Sequence, residues 1–200
     1  MRRLAMLSLA ALLAFTCVRC RAAEFPGLLG LALPDALKTD FFTFFHMTET
    51  GRQTAGAGTV VTFKPSGADF QKLVTLRATL AGQRIVAMEL DLSRAFINSR
   101  TQRVFANDIA KSILADGVSS VDRPALKVLV DEIQSNRGID RVVLSGHESP
   151  STPAQQSDGY LTYLGKRYVY TQAMTAASLH MENTQQGDED WLRIQLTAKR

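Results

Sequence analysis

The chain holds three histidines, so histidine chemistry has three possible seats. His147 stands in Ser145-Gly146-His147-Glu148, at the head of a polar stretch, residues 145–158, that contains Pro150 and Pro153. A loop that long inside a compact domain is often functional. Ser145 as nucleophile, His147 as base and Asp158 or Glu148 as the orienting carboxylate would be hydrolase chemistry. Ser145, however, does not sit in a G-x-S-x-G elbow, and a triad is defined by geometry rather than by order in the sequence. The expectation for His147 is therefore a loop-surface histidine.

His180 and Glu182 lie two residues apart, which on a strand puts both on one face, as two metal ligands would require. Asp188, Glu189 and Asp190 follow on the adjoining segment. These acids are consecutive rather than alternate, so the calcium-loop pattern is absent. The expectation is a solvated loop, with no resident metal and no cofactor. His46 lies among Phe44, Phe45 and Met47 and reads as a hydrogen-bonded or rim histidine.

Aromatic residues are the other candidates. Phe41, Phe42, Phe44, Phe45, Tyr160, Tyr163, Tyr168 and Tyr170 exceed what one sheet face needs. Some of them could line a concave surface, and Phe44, Tyr163, Tyr168 and Tyr170 are the candidate ligand-binding residues. Arg94, Arg100 and Arg103 gather near a helix start, where they would pair with Asp91 or Asp108 or face an anion. No P-loop, dinucleotide glycine fingerprint, H-E-x-x-H or EF-hand sequence occurs.

The net charge is +4, yet Arg2, Arg3, Arg19 and Arg21 all fall in residues 1–23, which hold no acid. The remainder carries 19 basic and 19 acidic residues and is neutral. It lacks the basic footprint of a nucleic-acid binder. Residues 4–18 are uncharged and rich in Leu and Ala, which reads as the apolar core of a signal peptide, short of the ~20 residues of a membrane span. Cleavage near Ala22 or Ala23 would leave an exported body with no stable membrane span. Cys17 and Cys20 have C-x-x-C spacing but lie in this leader, so they read as signal residues. Lipid attachment at Cys17 or an uncleaved N-terminal anchor are the alternatives.

The elements that must position these residues follow from periodicity. Residues 24–39 read as a lead-in, with one helical turn at 34–38. Residues 41–49 read as a strand buried on both faces, residues 50–58 as a glycine-bearing loop and residues 59–64 as a strand. Val74, Leu76, Ala78 and Leu80 alternate with polar neighbours, as do Val86, Met88, Leu90 and Leu92. Both apolar sets are even-numbered, so opposed residues must sum to an even number. A plain two-residue turn at 82–83 would turn one set to water, which predicts a three- or five-residue loop or a bulge.

Ser99 and Gln102 have capping-box spacing before a helix with Phe105, Ile109 and Ile113 in one stripe, stopped near Gly117. A second helix begins near Asp122 and Pro124 and carries Leu126, Leu129, Val130 and Ile133. Residues 139–144 read as a strand, residues 160–171 as a hairpin around Gly165-Lys166, and residues 179–183 and 191–198 as a final hairpin joined by residues 184–190.

Grouped strands predict an α+β fold: a strongly curved, nearly closed, largely antiparallel sheet of about nine strands, with two mid-chain helices on one face. The domain would span residues 40–200. The functional expectation is an exported, periplasmic or secreted, non-catalytic domain that binds an envelope protein or a small apolar ligand. The alternatives are an envelope hydrolase using Ser145, His147 and an acid, and a structural or inhibitor-type envelope component.

Overall fold

The strongest alternation in the sequence lies near the centre of the sheet. The computed structural model describes residues 26–56, 58–133 and 169–199. Its elements are α1 (Leu33–Ala36), α2 (Asp40–Phe44), β1 (Met47–Ala55), β2 (Gly58–Pro65), β3 (Val74–Ala81) and β4 (Arg84–Ser93). They continue with α3 (Arg94–Asn98), α4 (Arg103–Asp116), α5 (Arg123–Glu132), β5 (Val169–Ala173), β6 (Ala177–Gln186) and β7 (Glu189–Ala198). The described strands form one sheet of seven, in the order β1-β2-β3-β4-β7-β6-β5, with every neighbour antiparallel.

The α+β class and the antiparallel sheet are as the grouping of strands predicts. Near-closure is corrected: the described sheet is open, with β1 and β5 at its edges. Two expected strands, residues 139–144 and 160–164, lie outside the described residues.

The parity argument is met by a bulge. Leu76 faces Leu90 and Ala78 faces Met88, which keeps these apolar residues on one face, while Ile85 rather than the expected Val86 faces Leu80 and is buried. The register shifts at Thr79/Leu80, where Ala87 and Ile85 are consecutive partners and Val86 is passed over. The two-residue Gly82-Gln83 turn is thereby allowed. Gly82 takes φ +62°, as the first position of a type II′ turn demands.

One buried row then crosses five strands, through Phe63, Leu76, Leu90, Ile194 and Met181. The helices supply the second layer. Phe96 of α3 and Ile109, Ile113 and Leu114 of α4 are fully buried in the same core. Within α4 the predicted stripe holds, but the helix starts at Arg103 rather than after Ser99. Ser99 Oγ instead accepts the Gln102 N–H at 3.2 Å, in the turn that joins α3 to α4.

Residues 41–49 are the main correction. Residues 40–44 form α2, and the strand begins only at Met47. Winding places Phe41, Phe42 and Phe45 in the core and leaves Phe44 outside. Edge-to-face contacts of Phe41 with Phe45, Phe42 with Phe63 and Phe45 with Phe105 reward that choice. His46 follows with φ +49°, the left-handed position that ends a short helix, and its ring is exposed. Residues 50–58, expected as a loop, continue β1 to Ala55 and turn at Gly56. β1 is an edge strand with largely exposed side chains, so it carries no alternation to read.

The segment before α2 is built into the core. Leu28 and Leu29 donate their N–H groups to the Asp116 and Gly117 carbonyls at 2.8 and 3.0 Å, satisfying acceptors at the end of α4. A Cβ on Gly27 would meet the Val118 backbone at 2.3 Å, so only glycine allows this approach.

Candidate functional site

The solvent-side face of the sheet carries a charged network centred on Asp91. Antiparallel register puts Arg77 opposite Glu89 and Arg193 opposite Asp91. Asp91 is fully buried and accepts from Arg77 Nη1 at 2.6 Å, Arg193 Nε at 2.8 Å and Gln186 Nε2 at 3.3 Å. Glu89 accepts from Arg77 at 2.7 Å and lies 3.5 Å from Arg193. Hydrogen bonding to Asp91, reinforced by the charges of Asp91, Glu89 and Glu182, raises the Arg193 pKa above its ordinary value. Two cations and two anions satisfy one another here, which makes the network a structural clasp. The arginines expected near Asp91 from the helix side are not its partners. Arg94 is buried and bonds Asn183 Oδ1.

His180 and Glu182 do share a face, with Nε2 and Oε2 3.6 Å apart. Asp188 does not join them. β6 runs on to Gln186, and Gly187 and Asp188 form a two-residue turn. The four steps of strand from Glu182 to Gln186 already separate the two by about 13 Å before the turn that holds Asp188. Among the described residues no three His, Cys, Asp or Glu side chains gather at one metal-sized position. Tyr170 lies in β5 opposite Met181. Ser145, His147, Asp158, Tyr163 and Tyr168 lie outside the described residues, as do Cys17 and Cys20.

Phe44 is 67% exposed and lines a cleft of about 400 Å³ between α2 and α4. Its other lining residues are Asp40, Phe41, Thr43, Phe45, Ser112 and Asp116. Sequence reasoning singled out Phe44 but missed Asp40, Ser112 and Asp116, because no spacing rule links residue 40 to residue 116. Burial pushes the Asp116 carboxyl above the usual aspartate range, and Asp40 adds to the rise while Arg123 opposes it.

A carboxyl whose folded pKa is raised binds its proton more tightly in the folded state. Stability therefore falls as pH rises through the window between the ordinary and the raised value, and the full deficit is present at neutral pH. Asp116→Asn removes the deficit. The variant is expected to melt at a higher temperature than the parent at pH 7 and at the same temperature near about pH 3, below the ordinary aspartate value. Paired thermal melts at the two pH values check this, and equal melting temperatures at pH 7 refute it.

A second cleft, of about 430 Å³, lies between α4 and α5 and is lined by Ala115, Ser120, Arg123, Pro124, Lys127, Val130 and Asp131. Lys127 pairs with Asp131, and Arg123 Nε donates to the Ala115 carbonyl at 3.0 Å. The charges at its rim are thus engaged, while Ala115, Pro124 and Val130 offer apolar surface. Val121 and Val128 stand exposed on the same connection and helix.

Fold and clefts together define an α+β domain with an open antiparallel sheet, helices over its apolar face and surface grooves on the helical layer. No family model, no curated protein and no solved structure matches this chain. Among the described residues no helix is long and apolar enough to cross a membrane.

Proposed function

We propose that the protein is an exported, non-catalytic binding domain that takes a small apolar ligand in the groove between α4 and α5. One observation carries this reading: a groove of about 430 Å³ with apolar walls at Ala115, Pro124 and Val130 and a charged rim, a size suited to a small molecule. The apolar sheet face is covered by helices, so the binding surface belongs to the helical layer. Export rests on the apolar, uncharged residues 4–18 behind Arg2 and Arg3. The sheet of this reading has about nine strands and strong curvature, its extra strands being residues 139–144 and 160–164.

The test is a fluorescence titration of the protein with an apolar reporter dye, 1-anilinonaphthalene-8-sulfonate. Saturable binding is expected, weakened at least about tenfold by Val130→Asp, which replaces apolar groove wall with a carboxylate. A titration that never saturates, or that the substitution leaves unchanged, sinks the groove as a ligand seat. N-terminal sequencing of the exported protein is expected to begin at or near Ala23.

A further inference from the structure

We propose that the cleft between α2 and α4 binds an organic cation, an alkylammonium or guanidinium group on an apolar body. This goes beyond the groove reading, because a different pair of helices forms the site and it takes the opposite chemistry.

The polar side chains that line the cleft are Asp40, Thr43, Ser112 and Asp116, two carboxylates and two hydroxyls. All four accept hydrogen bonds, and no Lys, Arg or His is among the lining residues. Asp40 belongs to α2 and Asp116 to α4, and neither has an ion-pair partner among the described residues. Arg123, on α5, reaches Asp116 only through its field. Its Nε donates to the Ala115 carbonyl, and it lines the other groove.

Aromatic carbon completes the cleft. Phe44 leaves most of its ring in water, 5.0 Å from Phe45 in an edge-to-face pair, with Phe41 behind it. An exposed ring beside carboxylates suits a cation that also has apolar surface. The ring face attracts the charge, and the carboxylates accept its N–H donors. The raised pKa of Asp116 has burial as its main cause, with the charge of Arg123 opposing the rise and that of Asp40 adding to it. An acidic pair alone would suit any cation. The exposed Phe44 ring, backed by the buried Phe45 and Phe41, selects one with an organic body over a hydrated metal ion.

The experiment is a ¹H–¹⁵N titration of the whole protein with n-butylammonium chloride, against sodium chloride at matched ionic strength. A second arm uses the capped tripeptide Ala-Lys-Ala. Saturable shifts confined to residues 40–45 and 112–116 are expected with the amine and not with sodium. Asp40→Asn and Asp116→Asn together should weaken binding at least about tenfold, and Phe44→Ala about two- to fivefold. Phe44 is exposed, so that variant tests the ring without disturbing the core.

Tighter binding of the peptide assigns the cation to a partner's lysine, and tighter binding of butylammonium assigns it to a free amine. Shifts scattered over the surface, an equal response to sodium, or affinity unchanged in the double variant would overturn the proposal. Residues 40–45 distinguish these readouts from the groove, whose signals lie in residues 120–131 and at Ala115.

Discussion

Replacing Asp91 by alanine is expected to cost about 3 kcal/mol of folding free energy, the low end of what breaking a buried ion pair costs. Asp91 has no exposed surface and holds Arg77, Arg193 and Gln186 at once. Without it, Arg77 keeps Glu89 and Arg193 keeps the charges of Glu89 and Glu182. Both arginines keep partial contact with water, with side-chain exposures of 34% and 25%, which limits the penalty. Asp91→Asn keeps the shape and some acceptor capacity and should lose about half as much. Denaturant unfolding measures both. A loss below about 1 kcal/mol for the alanine variant would mean that the network is decorative. Combining Asp91→Ala with Arg193→Ala should be clearly less than additive, because the second substitution removes one of the arginines that Asp91 holds.

The second large effect is expected at Asp122, and it is local. This carboxylate is buried at the start of α5 and accepts the Thr175 N–H at 2.7 Å and the Ala176 N–H at 2.9 Å. It ties the β5–β6 turn to the helix across 53 positions of sequence. Alanine there leaves two backbone donors without an acceptor and removes a negative charge favoured at a helix N-terminus, for a loss of about 2–3 kcal/mol. Hydrogen exchange separates this from a general loosening. The Thr175 and Ala176 amides should exchange much faster in Asp122→Ala, beyond the change at the β4 amides, while Asp122→Asn should restore part of the protection. Unchanged protection at those two amides would refute the role.

The parts of the fold that were legible in the sequence are those where one face is wet and the other dry. β3 and β4 alternate in the sequence, and even numbering on both arms was enough to demand an odd-length loop or a bulge, though not to place it at Val86. α4 and α5 carried their stripes at helical spacing. Residues 41–45 misled, because four phenylalanines in a short run satisfy a two-sided strand as well as a helix with three buried rings. The spacing of Phe41 and Phe45 by four positions, with Thr43 and Phe44 left over for water, was the available signal. β1 was hidden for the opposite reason: an edge strand that exposes most of its side chains leaves no pattern. The candidate sites divide in the same way. An unusual density of aromatics drew attention to Phe44, whereas Asp40 and Asp116 acquire meaning only when α2 packs against α4. The pairing of Asp91 with Arg193 spans 102 positions and has no local signature.

The seam between β4 and β7 shapes how this chain reaches its native state. Residues 87–93 lie beside residues 191–197 in the interior of the sheet, while the meander β1 to β4 is assembled from neighbours. A nascent polypeptide can close that meander early, but until β7 arrives β4 remains a naked edge above a half-covered apolar surface. Maturation thus hinges on a late, entropically slow docking step, and any holdase that accompanies the unfinished chain would have that bare β4 flank to shield.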